Sequence, residues 1–429
     1  MKYQAYPDYK DSGALGLDNI PLSWHAQRVK FLFYLGRGRV ISQEELVDEE
    51  EYPVYSSQTK DNGCLGYINT FDFDCKQITW TTDGANAGTV FIRSGRHKCT
   101  NVCGTLQPKS ESNNMECLLY CLQYVTQFYK RPDTNGAKIM NGEMGEIFVT
   151  LPTRNEQDII SSFLYHETAK IDTLIEKQQQ LIKLLKEKRQ AVISHDVTKG
   201  LNPNAPMRDS GVDWLGDVPE HWGVKRFKFL CDRIIAGPFG SSITKDMYVK
   251  DGYKVYGQEQ VIPNDFSIGD YYISEKDYMY LSRYRVFPRD ILISCVGTFG
   301  KIAVFPVDAE SGIINPRLVK ASINKKGNPY YIREMLKSEM VYKQFELLSS
   351  GGTMGVINIA ILSEIITVVP PIQEQIEVVA YINEQKAKFG NLIDRANNAV
   401  SFLKERRTAL ISAAVTGKID VRHWNGESA

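Results

Sequence analysis

Nowhere in these 429 residues does an apolar run approach the roughly 18 residues a membrane span needs. The opening stretch, MKYQAYPDYKDSG, lacks the apolar core of a secretory leader. A soluble, cytoplasmic chain is the expectation. Net charge is missing as well: Lys plus Arg and Asp plus Glu stand at 51 each, so a polyanionic partner has to be held by local basic patches rather than by a global field. Cysteine is sparse, eight residues without the spacing of a small disulfide scaffold, which fits reduced thiols. Signatures of catalysis are absent too. An amino-methyltransferase holds its base with Asp/Asn-Pro-Pro-Tyr/Phe, and the nearest strings are VPPI at Val369 and GNPY at Gly327. GTFGKI at Gly297 fails the phosphate-loop pattern in spacing and hydroxyl, and no carboxylate and lysine cluster of a nuclease stands out.

What the chain does contain is itself, twice. At an offset of 218, Leu151 to Asn202 aligns without a gap on Val369 to Asp420, matching Pro152 with Pro370, Glu156-Gln157 with Glu374-Gln375 and Val197-Thr198 with Val415-Thr416. At an offset of 198, KDSGALGLDNIPLSWHAQRVKFL (Lys10 to Leu32) aligns on RDSGVDWLGDVPEHWGVKRFKFL (Arg208 to Leu230). Each unit of this tandem duplication therefore reads as a lead-in motif ending in Pro-x-x-Trp, a variable region and a long helix.

Spacings of three and four mark the helices. Ile171, Leu174, Gln178, Leu181, Leu185, Lys188 and Val192 trace one apolar seam, and Phe389, Leu392, Ala396, Ala399, Leu403, Arg406 and Leu410 trace its repeat. A proline before each Glu-Gln pair and a glycine after the last apolar turn (Gly200, Gly417) bound helices of about 40 residues, roughly 60 Å long. A short linker, LNPNAPMRDSG, joins the units. Helix two therefore has to run back antiparallel along helix one to bury its seam, giving two heads on a rigid ruler with a pseudo-twofold axis.

The variable regions read as short strands plus one helix each. YPVYSSQ, CKQITWTT, GTVFIRSG and the helix NNMECLLYCLQYVTQFYK in unit one have counterparts YKVYGQE, ILISCVG, GKIAVFP and GNPYYIREMLKSEMVYKQFELL in unit two. The fold class expected is α+β: two mixed globular heads joined by two long antiparallel helices. Its linear division is 1–150 for the first head with its lead-in, 151–202 for the first helix, 203–368 for the linker and second head, 369–422 for the second helix, and 423–429 for a tail.

The lead-in RDSGVDWLGDVPEHWGVKRFKFL, the helix start PPIQEQ and the helix end LKERRTALISAAVTGKIDV together resemble the specificity subunit of type I restriction-modification systems, from about Asp8 to Arg422. Unit one departs from the pattern where ALGLDNIPLSW lacks the Trp-Leu-Gly of unit two. The resemblance implies that each head is a target recognition domain reading half of an asymmetric, bipartite site on double-stranded DNA. It implies that the helix pair sets the unread gap and docks two methyltransferase subunits, and that motor-nuclease subunits join them. The chain itself would be non-catalytic and without cofactor; S-adenosylmethionine would belong to the methyltransferase partner, and ATP with Mg2+ to the restriction partner. Half-sites about one helical turn, roughly 34 Å, apart suit such heads.

Within the heads, loop residues able to read base edges or hold phosphates are Gln58, Lys60, Asn62, Arg93, Arg96, His97 and Lys98 in unit one. In unit two they are Lys245, Gln258, Gln260, Arg283, Arg285 and Thr298. Cys99, Cys103, Cys117 and Cys121 have the number of thiolates for a zinc site, but Cys117 and Cys121 stand i, i+4 on an apolar helix face, where cysteine acts as a small hydrophobe, and no metal is expected. Two further classes compete with DNA recognition: a two-headed protein adaptor that never meets DNA, and a fused methyltransferase with an unrecognised site.

Overall fold

Two helices dominate the backbone, Arg154–Lys199 with 46 residues and Ile372–Val415 with 44, each somewhat longer than the spacing suggested. The structure is a computed structural model; it describes all residues except 1–2, 48–50, 135, 213, 240–241, 296–300, 350–358 and 427–429, and only the backbone at 348–349. Among the described residues, no helix is long and apolar enough to cross a membrane. The chain divides into two compact units, one formed by Met1–Gln179 with Asn397–Ala429 and the other by Gln180–Ala396.

Each unit thus contains the start of one long helix and the end of the other. In the first, Phe163 and Leu164 share a core with Ile411, Ala414 and Val415, Arg407 pairs with Asp172 at 2.9 Å, and the Thr150 hydroxyl donates to the Val415 carbonyl at 2.6 Å. Numbers rise along one helix as they fall along the other, so the helices are antiparallel there. In the second unit, Ile193 and Val197 share a core with Val378 and Ile382, and the Tyr331 hydroxyl donates to the Val197 carbonyl at 2.8 Å.

The seam is displaced by one residue at alternate positions. Leu174 and Leu181 are 47% and 43% exposed, while the adjoining Ile175 and Ile182 turn inward, and Arg189 and Arg407 are half-buried where Lys188 and Arg406 had been expected. Ile393 likewise is buried in place of Leu392. Apolar residues sit side by side at 174–175, 181–182 and 392–393. A 3.5-residue stripe can be drawn through either member of each pair, and packing rather than spacing selects between them.

The Glu-Gln pair after each proline has a mechanical purpose. The Gln157 carbonyl accepts from the Asn114 backbone N–H at 2.7 Å, and its amide donates to the Pro152 carbonyl at 3.0 Å. Gln375 does the same with Asn328, at 2.7 Å, and Pro370, at 2.8 Å. Asn114 and Asn328 are the N-caps of the head helices Met115–Val125 and Pro329–Leu336, so each glutamine ties its long helix to its head helix. At the far ends, Gly200 (φ +81°) lies against Trp222, and Gly417 (φ +70°) against Pro21 and Trp24. A Cβ on Gly417 would fall 2.3 Å from Pro21 Cγ. Only glycine combines the left-handed turn with that approach.

The heads share a plan of two four-stranded sheets. In unit one the antiparallel sheet runs Val90–Arg93, Gln77–Thr81, Cys103–Pro108, Phe33–Arg37; in unit two it runs Ile302–Val304, Ile291–Ser294, Leu318–Ile323, Cys231–Ala236. The second sheet of each head holds one parallel pair, Tyr52–Tyr55 with Arg96–Cys99 and Tyr253–Tyr256 with Gly312–Ile314. The strands expected from YPVYSSQ, CKQITWTT, GTVFIRSG and their counterparts are all present, together with short ones that the pattern did not show. The single helix expected in unit two is two, Pro329–Leu336 and Glu339–Ser349, broken at Lys337-Ser338. There the Ser338 hydroxyl bonds back to the Met335 carbonyl at 2.6 Å, an alternative to the helical ladder.

Candidate nucleic-acid interface

In each head the chain crosses from one sheet to the other at a tight joint, Thr100 to Val102 in unit one and Asn315 to Arg317 in unit two. Both joints press on a glycine. A Cβ on Gly38 would lie 2.1 Å from the Cys99 carbonyl oxygen, and one on Gly237 would lie 1.8 Å from that of Asn315. The joints are therefore fixed by backbone contact, leaving their side chains free to differ.

In unit two the joint lines a cleft of about 760 Å³ with Lys245, Tyr248, Gln258, Glu259, Tyr271, Asn315 and Arg317. Lys245, Glu259 and Arg317 are exposed. Asn315 is oriented by the backbone two residues on, its Oδ1 accepting from the Arg317 N–H at 2.9 Å, and the Gln258 amide donates to the Ser294 hydroxyl at 2.6 Å. Two of the residues anticipated from the sequence, Lys245 and Gln258, come together here. Gln260 does not: it is buried, its Oε1 accepting from the Gly257 N–H at 2.7 Å and its amide donating to the Ile268 carbonyl at 3.1 Å, so it shapes the loop from beneath. Arg283 is exposed away from this cleft's lining, while Arg285 lies over the Tyr278 ring at 4.1 Å and donates to the Tyr278 carbonyl. Thr298 lies outside the described residues.

In unit one the expected loop residues divide by burial. Gln58 precedes, and Lys60 and Asn62 lie within, a short 3-10 turn, Lys60–Gly63, in which Asp61 and Asn62 stand at φ +49° and +52°. Two successive non-glycine residues in the left-handed region are strained, and strain of this kind is held in place by surrounding contacts. Arg93 supplies them. It is 2% exposed, stacks 3.6 Å from the Tyr55 ring, and donates to the Asn62 carbonyl at 2.6 Å and the Thr79 hydroxyl at 3.1 Å. Burial lowers its pKa from the ordinary guanidinium value. His97 is fully buried, hydrogen-bonded to the Gly95 carbonyl and the Gln77 amide at 2.8 Å each, and burial lowers its pKa as well. Lys98 is buried on Thr70 at 2.6 Å. The run Arg93 to Lys98 is thus not a loop but the end of one strand and most of the next; of its basic residues Arg96 is exposed, paired with Asp74 at 3.1 Å.

Cys117 and Cys121 are buried among the leucines of the head helix, and Cys99 and Cys103 flank the crossing between sheets; all four are free thiols. Glu259, Asn315, Arg317, Tyr248 and Tyr271 were not legible as site residues in advance. The one signal was the string Asn-Pro-Arg between two β-branched runs, a turn with two base-reading side chains.

One scaffold is thus present in two copies, alike in the order of its sheets and helices and unlike in the side chains at its joints. The profile of the type I restriction modification DNA specificity domain matches residues 21–184 and again 219–393, and the chain belongs to that family. A Mycoplasma pneumoniae protein described as type I specificity subunit S.MpnORF507P is 26% identical over 366 residues, 85% of this chain and 90% of that protein. The type I restriction enzyme MpnII specificity subunit of the same organism is 30% identical over 193 residues, 43% of this chain and 57% of its own length. A chain from a structure of type I restriction-modification complex assembly superposes with a TM-score of 0.68 at 14% identity, over 92% of this chain and 98% of that one. The HsdS subunit of Thermoanaerobacter tengcongensis gives 0.52 at 16% identity, over 93% and 98%. At such identities the likeness is one of fold.

Proposed function

We propose that this chain is the specificity subunit of a type I restriction-modification complex, in which each head reads one half of an asymmetric bipartite DNA site. The observation that carries the reading is the duplication with divergence: two family domains share backbone joints at Gly38 and Gly237, yet present different side chains beside them. On this reading Gln58, Lys60, Asn62 and Arg96 face DNA from the head within 1–150. Lys245, Gln258, Glu259, Arg283, Arg285, Asn315 and Arg317 face it from the head within 203–368. Arg93, His97, Lys98 and Gln260 support those surfaces from below. The helices within 151–202 and 369–422 set the unread gap and carry two methyltransferase subunits, with motor-nuclease subunits completing the complex. Catalysis, with S-adenosylmethionine and with ATP and Mg2+, belongs to those partners.

Seven residues inserted in both long helices lengthen each by about 10 Å, close to three base pairs of DNA. Footprinting the assembled complex is expected to show two protected half-sites whose spacing grows by about three base pairs. Unchanged spacing would count against the ruler, and no protected half-sites in the wild type would favour the adaptor reading.

A further inference from the structure

The joint between the sheets of the first head carries two thiols at positions where the second head has none. Matching hydrogen bonds equate the two joints. The Cys103 N–H donates to the Thr100 carbonyl at 3.0 Å as that of Leu318 donates to Asn315 at 3.2 Å. The Cys103 carbonyl accepts from Gly38 at 3.0 Å as that of Leu318 accepts from Gly237 at 2.9 Å. Cys99 and Cys103 therefore fall at Ile314 and Leu318, both fully buried. Isoleucine and leucine fill the joint in one head, and a buried dithiol fills it in the other.

The dithiol lies beside a buried charge. The Nη2 of Arg93 has no hydrogen-bond partner among the described residues, and among them no carboxylate pairs with the guanidinium. The acidic groups that bear most on it are Tyr55, Cys103 and Cys99. A buried cation left without an anion is costly. Burial raises the Tyr55 hydroxyl above its ordinary value, which leaves the thiols to supply the negative charge. The Cys99 thiol donates to the Cys103 sulfur, and that bond, with the Arg93 charge and the Thr79 hydroxyl, holds Cys103 below the ordinary thiol value. Burial pushes Cys231 and Cys295 the other way, up to about 12. A thiolate in contact with a protonated thiol is a nucleophile with its resolving partner.

We propose that Cys99 and Cys103 are an oxidative modification site, closed to a disulfide by hydrogen peroxide, and that closure loosens the Asp61-Asn62 turn of the first head. The Cys103 thiolate attacks one peroxide oxygen and the O–O bond breaks, leaving a sulfenic acid on Cys103 and a hydroxide that takes a proton from solvent. The Cys99 sulfur then attacks the Cys103 sulfur and displaces hydroxide, which leaves as water with the Cys99 proton. Two sulfurs are oxidised and one peroxide is reduced to two waters. Both sulfurs are buried, so the oxidant is a small one. The disulfide is neutral, and Arg93 loses its anion. Its bond to the Asn62 carbonyl at 2.6 Å, which braces the strained turn, then competes with hydration of the guanidinium. That this would weaken reading of one half-site rests on the proposed function; the disulfide and the loosened turn do not.

The test treats the full-length chain with hydrogen peroxide and reads it by peptide mapping and amide hydrogen exchange. A cross-link between Cys99 and Cys103, with the loss of two hydrogens, is expected. The Ser56 N–H, which donates to the Gly63 carbonyl at 3.0 Å, is expected to exchange at least about tenfold faster, with amides of the unit formed by Gln180–Ala396 unchanged. Cys99→Ser is expected to stop at a Cys103 sulfenic acid that dimedone traps, and Cys103→Ser to leave Cys99 a thiol. No cross-link in the wild type, a sulfenic acid trapped on Cys99 in place of Cys103, or a cross-link without faster exchange would each overturn the proposal. In the assembled complex the cross-link is expected to weaken protection of one half-site alone, and dithiothreitol to restore it. A reduced complex that protects no DNA contradicts the proposed function and not the cross-link.

Discussion

Replacing Trp222 with alanine is expected to cost about 3–5 kcal/mol, lowering the unfolding midpoint of the unit formed by Gln180–Ala396. The indole is 1% exposed and closes a small core of Leu215, Val218 and Val368. It also fills the space above Gly200, where a Cβ would lie 3.0 Å from its ring, so it seals the end of the first long helix against the second lead-in motif. Its N–H donates to the Glu374 carboxylate at 3.0 Å, a carboxylate that His221 also approaches at 2.9 Å. Trp24, its counterpart in the other unit, is equally buried, but its indole N–H has no hydrogen-bond partner among the described residues. Phenylalanine therefore separates packing from hydrogen bonding. Trp222→Phe is expected to cost about 1 kcal/mol more than Trp24→Phe, because only the former gives up a bond to a charged acceptor. Equal costs in chemical denaturation would show that the Glu374 contact contributes nothing.

Alanine at both Asn315 and Arg317 is expected to weaken binding of the assembled complex to its site by about thirtyfold or more. Each lost bidentate base contact is worth about 1–3 kcal/mol. Discrimination should relax in one half-site and stay intact in the other, since both residues lie in one head. Arg317 is exposed, and its backbone rather than its side chain holds the joint, through the Cys295 N–H donating to its carbonyl at 2.9 Å; Asn315→Ala gives up the bond from the Arg317 N–H, a cost of about 1 kcal/mol that a melting curve of the free chain reads separately. A uniform loss across all sequences, with a shallower salt dependence, would mark Arg317 as a phosphate contact instead.

Repetition made the fold readable. Helix ends at Gly200 and Gly417, the antiparallel course of each helix pair within its unit, and the matched strand order of the heads all follow from aligning the chain with itself. The finer geometry did not follow, for definite reasons. Adjacent apolar residues at 174–175 and 181–182 leave the seam's register open until a neighbouring helix chooses. Burial separates residues of one chemical type: Arg93 and Arg96 are three positions apart in one basic run, yet Arg93 is spent bracing the strained turn at Asp61-Asn62 while Arg96 remains at the surface. The Asn315-Pro-Arg317 joint was hidden because its importance lies in a close approach to Gly237, 78 positions earlier in the chain. Local pattern cannot express a contact of that range.

The most direct measurement of the central claim is a map of DNA methylation in cells carrying this chain with its methyltransferase subunits, with and without the Asn315→Ala/Arg317→Ala substitutions. Two unlike half-sites at a fixed spacing, of which the substitutions alter one alone, are expected. A single uninterrupted site, or a change in both halves together, would contradict an account in which two heads read independently.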